Sequence, residues 1–297
     1  MPLKYSSVDL EYQKRMELRR EDVQMIKEWL GKQPHLPEME EFEIITILLS
    51  CNYSVELTKV TIDNYYTLKS LTPEIFRKRD LKTWVNTLDA VICIPLSTLT
   101  PEGYQVVYAR LQSLDPNKYV LVDTLKCGEI IIKMKIYEKG AVDGLVFVFD
   151  MTGFSLTHIA QLPVMTIRKL IVYMQEACPL KLISLHVING GARVDKLMTI
   201  MRPFIKKELL EMIHIHSNYV ETLFNYMPRE CMPKDVGGLL GSVQEMQEKV
   251  KETVLNNMDF IEEDEKKLAD ESKRPQKNNK FDDVFGIEGT FRKMELD

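Results

Sequence analysis

The chain has 297 residues, 45% of them hydrophobic and 28% charged, a balance that supports a sizeable core and excludes a largely disordered chain. Its formal net charge of -5 creates no global pull toward phosphate backbones, so nucleic-acid binding is not expected. The opening stretch MPLKYSSVDLEYQKR has no apolar signal core, and no stretch approaches the roughly 18 apolar residues of a spanning helix, so a cytoplasmic, soluble protein is expected.

From Val8 to Arg79 the pattern is helical. Val23, Ile26, Trp29 and Leu30 recur at three- and four-residue spacing, with Gly31 as a stop. EMEEFEIITILLS carries acidic residues in its first turn, which the helix dipole favours. Ser54 is placed to cap a helix with Leu57, Val60, Tyr65 and Leu68, and Thr72 is a cap followed by a proline suited to a first helical position. The pattern changes near Trp84: AVICIPLST and YQVVYARLQ are short β-branched runs separated by TLTPEG, a strand pair with a turn.

Pro116 to Glu138 contains IIIKMKI, which suits a strand, but its length without a turn signal favours a helix. GLVFVFD and LISLHVIN are continuous apolar runs, the mark of strands covered on both faces. Between them Met165 to Ala177 is helical, giving a strand, helix, strand unit with a right-handed crossover. A helix from Arg193 to Phe204 follows, then KKELLEMIHIHS and NYVETLFNYM. Val243 to Lys273 has the mixed charge of one solvated helix, KRPQKNNK is a polar linker, and FDDVFGIEGTFRKMELD regains aromatic residues that suit folding back, with a free tail as the alternative.

Signals for chemistry are sparse. The chain has no GxGxxG, GxxxxGK[ST], GxSxG or HExxH, and its five cysteines form no CxxC pair, so reduced thiols, no cofactor and no enzymatic activity are expected. His214 and His216 alternate onto one side of a strand, which two imidazoles of a metal site would need, but no third ligand is evident. His158 and His186 suit core or sheet-edge positions; Asp150 stands at the carboxyl end of a strand, where α/β folds place functional groups, and better suits a cap on the loop DMTGF, with Gly153 permitting the turn.

FVFDMTGF, QEACPLKL, LHVIN, MRPF, IHIHS and MPRECMPKDVGG, in that order and spacing, resemble the CRAL-TRIO lipid-binding family, which includes α-tocopherol transfer and cellular retinaldehyde-binding proteins. The region from Lys27 to Asp80 looks like that family's N-terminal extension. The resemblance implies an α/β fold: an N-terminal helical bundle (8–82), a CRAL-TRIO domain with a mostly parallel sheet floor and a mobile lid helix (83–241), and a C-terminal helix and tail (242–297). Matched by position, the pocket walls are Leu145, Phe149, Phe154, Leu170, Tyr173, Met174, Leu180 and Leu185. The lid is Arg193 to Phe204, turning Val194, Leu197, Met198 and Met201 toward the ligand.

The function so implied is carriage of a retinoid, carotenoid, tocopherol or similar lipid between membranes, with a lipid- or phosphoinositide-regulated interaction module as the alternative. In the tocopherol-transfer branch, basic residues beside the lid bind phosphoinositide head groups. Lys181 matches one of them, whereas Ile183, Glu208 and Met212 depart from the pattern. Arg193, Arg202, Lys206 and Lys207 are the candidates to rebuild that basic membrane-docking surface.

Overall fold

The computed structural model describes residues 3, 5–276, 280–282 and 284. The first layer is helical: α1 Val8–Lys14, α2 Arg20–Leu30, α3 Glu41–Ser50, α4 Val55–Leu71, α5 Pro73–Phe76 and α6 Leu81–Ala90. Local chemistry starts several of these. Glu40 and Glu43 form a reciprocal capping box on α3, the Ser54 hydroxyl accepts from Leu57 N, and the Asp80 carboxylate accepts from Thr83 N at 2.8 Å. Gly31 ends α2 as expected, whereas Thr72 takes another role. Gly31 stays right-handed at φ -60, and the Thr72 hydroxyl turns back to donate to Leu68 O rather than capping α5. The boundary expected at 82/83 falls inside α6.

The strands are β1 Val91–Pro95, β2 Gln105–Leu111, β3 Leu145–Asp150, β4 Leu182–Ile188 and β5 Ile213–Ile215. They form one sheet in the order β1-β2-β3-β4-β5, with β1 and β2 antiparallel and every other pair parallel. Between β2 and β3 lies α7, Leu121–Lys139; α8, Leu156–Ala160, and α9, Val164–Glu176, lie between β3 and β4. After β4 come α10, Ala192–Met201, with a 3-10 turn at Arg202–Phe204, and α11, Lys207–Glu211. The ambiguous IIIKMKI is thus helical. Ile130, Ile131, Ile132, Met134, Ile136 and Tyr137 of α7 are all buried, because this helix is covered on several sides, and so it lacks the one-sided stripe that announces a surface helix.

The sheet has two clothed faces, as its continuous apolar runs require. On one face Ile92, Ile94, Val106, Tyr108, Val146, Val148 and Ile188 pack against Leu223, Met227, Met232, Val236 and Val243. Alternate residues turn to the other face, where a cavity lies. The chain then continues through α12, Tyr219–Thr222, α13, Val243–Leu255, and α14, Met258–Lys266. The single helix expected over 243–273 is therefore two, broken at Asn256 and Asn257; the latter leaves helical geometry at φ -129, ψ 40. Asparagine competes for backbone partners, and Asn257 accepts from Leu3 N and donates to Thr253 O. Most of 281–297 lies outside the described residues; within them, Phe281 is buried with Leu68 and Ala177.

Candidate lipid-binding cavity

The sheet floors a cavity of about 450 Å³, inside the roughly 300–1,000 Å³ range of small-molecule pockets. Ala109, Leu145, Phe147, Phe149, Leu185 and Val187 rise from the floor. The helices α4, α7 and α9 supply the walls, and α10 lies across the space between β4 and α9. All twelve expected ligand-facing residues line this one space: Leu145, Phe149, Phe154, Leu170, Tyr173, Met174, Leu180, Leu185, Val194, Leu197, Met198 and Met201. Sequence periodicity missed the contribution of the N-terminal layer, whose Ile47, Tyr65, Tyr66, Leu68, Ile75 and Phe76 also line it. It also missed Glu129 and Lys133 of α7, polar residues on the wall of a mostly apolar space.

The entry into α10 is a tight turn. Asn189 has φ 56 and Gly191 φ 53, and a Cβ on Gly190 would lie 2.0 Å from the side chain of Val194. Val194 is buried with Met151 and Val187, while Leu197 and Met198 are half-buried beside them. Arg193 locks the turn. Its guanidinium donates to the carbonyls of Gly190, Phe154 and Asn189 at 2.9–3.0 Å, which takes it away from the membrane-docking role expected of it.

The other basic candidates are partly engaged. Lys181 Nζ donates to Asn52 Oδ1 at 2.9 Å, Lys206 pairs with Glu176, and Lys207 lies 3.7 Å from Glu211. Arg202 is exposed at the end of α10. Exposed pairs of this kind contribute little energy.

Asp150 ends β3 at the rim. One oxygen accepts from Thr152 N, the Thr152 hydroxyl and Asn189 Nδ2, and the other accepts from Tyr108 OH at 2.6 Å. Against the burial that opposes it, this set of donors holds the Asp150 carboxyl below its usual range. Asp150 is therefore a tie between β2, the loop after β3 and the turn into α10. Asp150→Asn is expected to lose about 1–3 kcal/mol of folding stability in chemical denaturation, with ligand affinity unchanged. A selective loss of affinity would instead make Asp150 a ligand contact.

The histidines form a cluster on the opposite face. His186 Nδ1 and His216 Nε2 are 2.9 Å apart, His216 Nδ1 meets the Thr222 hydroxyl at 2.7 Å, and Tyr226 packs on the rings of His186, His214 and His216. His214 and His216 thus do share a side. No group of three potential ligands arranged for a metal ion occurs among the described residues. Burial, with the two neighbouring imidazoles, pushes His186 down to about 3, so it stays neutral. His158 caps α8 with Ser155 and stacks on Phe154. Burial also drives two of the thiols up, Cys93 to about 12 and Cys178 to about 11, which removes from them the thiolate a nucleophile needs.

Comparison with known proteins agrees with this architecture. Residues 91–238 match the CRAL/TRIO domain and residues 15–84 match the Pinta-like UBA domain. The chain is 23% identical over 236 residues to an alpha-tocopherol transfer protein-like protein of Homo sapiens, covering 78% of this chain and 69% of that protein. Clavesin-2 of Rattus norvegicus is 25% identical over 146 residues, 49% of this chain and 45% of that one. The crystal structure of Sfh5 superposes with a TM-score of 0.45 at 10% identity, covering 82% of this chain and 99% of that chain. No helix among the described residues is long and apolar enough to cross a membrane. The chain belongs to the CRAL-TRIO family.

Proposed function

We propose that this protein binds one hydrophobic small molecule in the cavity beneath α10 and carries it between membranes. The observation that carries this reading is the cavity itself: a space of about 450 Å³, floored by apolar sheet residues and covered by Val194, Leu197, Met198 and Met201. A lipid with about 15 buried methylene-sized groups gains on the order of 10 kcal/mol on leaving water, at about 0.8 kcal/mol per CH₂. Such a ligand leaves slowly unless something opens its cover. A lid that swings out at a bilayer meets hydrocarbon rather than water, so exchange occurs where the destination is.

In this reading the lid turns about the Asn189–Gly191 segment, with Arg193 holding the closed form. Membrane contact is transient and peripheral. It rests on the apolar face of α10 more than on cations, because Arg193 faces inward and Lys206 and Lys207 have acidic neighbours. The division into N-terminal helices, sheet unit and C-terminal helices belongs to the same reading, and the first two share the cavity. Among the candidate lipids, retinol is fluorescent and makes a convenient cargo. The protein is expected to speed its movement from donor to acceptor vesicles at least tenfold, with only a modest further gain when the acceptor contains phosphatidylserine or a phosphoinositide. A transfer rate unchanged by the protein would remove the carrier function.

A further inference from the structure

Glu129 lies on α7 and lines the cavity. Its Oε1 accepts a hydrogen bond from the Tyr65 hydroxyl at 2.9 Å, while its Oε2 is buried without a hydrogen-bond partner. An unpartnered buried carboxyl oxygen is costly, and such a group in a native protein calls for an explanation. Its cationic neighbours do not supply one. Lys69 Nζ donates to the side chain and carbonyl of Asp264, and Lys133 pairs with Asp264 and Glu43. Other polar groups along the wall are satisfied at home: Thr46, Thr72 and Thr124 each donate to a carbonyl of their own helix or of the turn before it.

We propose that Glu129 Oε2 receives the polar head of the bound lipid and that this head is a hydroxyl group. The inference rests on the cavity being the lipid site. Burial holds Tyr65 well above its ordinary value, so Tyr65 keeps its proton and Oε1 is fixed as the acceptor. Burial also raises Glu129, which makes its protonated form more accessible beside the carboxylate. An alcohol suits both: its O–H donates to the carboxylate, and its oxygen accepts from the carboxyl. An aldehyde, ketone or ester suits the protonated form alone, and a lipid carboxylate is repelled by the ionised one. A bare hydrocarbon leaves Oε2 unpaired. The chemical class selected is a neutral lipid alcohol, with its chain lying over the sheet and its oxygen at α7.

Arg110 is the competing head-group site. Its Nε is the other buried polar atom of the lining without a hydrogen-bond partner among the described residues, and it lies on β2 opposite Asp150. A carboxylate head would go there, so head-group chemistry separates the two.

The test measures equilibrium uptake from phosphatidylcholine vesicles of two matched series: retinol, retinal and retinoic acid, and octadecan-1-ol, octadecanal and octadecanoic acid. Mass spectrometry of the protein fraction gives the amounts. The alcohol is expected to exceed the aldehyde and the acid at least tenfold in any series whose chain enters. In Glu129→Gln the amide N–H now donates, so the preference for alcohol over aldehyde should disappear. Lys196→Gln, an exposed substitution away from α7, should retain it. Circular dichroism establishes that the variants are folded, and the wild-type comparison stands without them. Equal uptake of all heads, or preference for the acid, overturns the Glu129 assignment while leaving the cavity reading intact. Uptake of no member of either series overturns both.

Discussion

Asp264→Ala is expected to destabilise the protein by about 3–5 kcal/mol, a large share of the roughly 5–15 kcal/mol that holds a typical domain folded. Asp264 sits on α14, where its side chain pairs with Lys69 of α4 and Lys133 of α7. The side chain of Lys69 is fully buried, at 0% exposure, so removing the carboxylate leaves a cation with no water to turn to. Lys133 keeps Glu43 at 3.3 Å, and Lys267 joins the same Glu43 at 2.6 Å. Adding Lys69→Met to Asp264→Ala should therefore recover much of the loss, because replacing both members of a buried pair by apolar groups is often neutral. Urea denaturation of the wild type, the single variant and the double variant measures this directly. A single variant as stable as the wild type would remove the network from the account of how the C-terminal helices are fastened.

The same residues set the response to acid. Lys133 and Lys69, acting against the burial penalty, hold Asp264 well below its ordinary value. A carboxyl depressed in the fold contributes stability above its unfolded value of about 4, and that contribution is lost as pH falls toward the folded value. His186, held neutral down to about 3, acts in the same direction from a higher starting point: the unfolded chain takes up its proton near 6.5 and the folded one does not. Stability should therefore begin to fall below about pH 6.5 and fall more steeply below about pH 4. In Asp264→Ala the lower step should shrink.

Leu197→Asp is expected to weaken lipid binding by more than about 100-fold, equivalent to about 2.7 kcal/mol, while leaving the circular dichroism unchanged. Leu197 is half-buried on α10 beside Val194 and Met198 and lines the cavity. A carboxylate there must either desolvate against the lipid or turn the helix outward, and both free the ligand. The secondary structure should persist, because the helix keeps its backbone bonds and Val194 keeps its contacts with Met151 and Val187. Lys196→Asp, one residue away but exposed, is the control and should bind normally. Undiminished binding by Leu197→Asp would take α10 out of the binding mechanism.

What the sequence discloses follows from the range of the forces involved. Strands such as LVFVFD and LISLHVI declare themselves because burial on both faces writes an unbroken apolar run. The stripe Val194, Leu197, Met198, Met201 is equally legible as an apolar face, since period 3.6 is local. The family resemblance then says which face of the sheet that stripe meets. The pairing of Lys69 with Asp264, by contrast, spans 195 residues and leaves no local trace. Glu129 is hidden for a related reason: a lone acidic residue within LKCGEIIIKMKI looks like a solvent position, and only the assembled fold turns it toward the cavity. Arg193 is the reverse case. A basic residue at the start of an exposed helix suggests docking, yet three carbonyls of the preceding turn and of Phe154 claim it.

The most direct test of the carrier function is to extract the purified protein with organic solvent and identify what the apolar phase contains by mass spectrometry. The predicted result is close to one hydrophobic molecule per chain, replaced at the same ratio when the emptied protein is incubated with vesicles carrying that lipid. A protein that yields no lipid, and that takes none from vesicles prepared from the lipids of the cells that made it, would contradict the account.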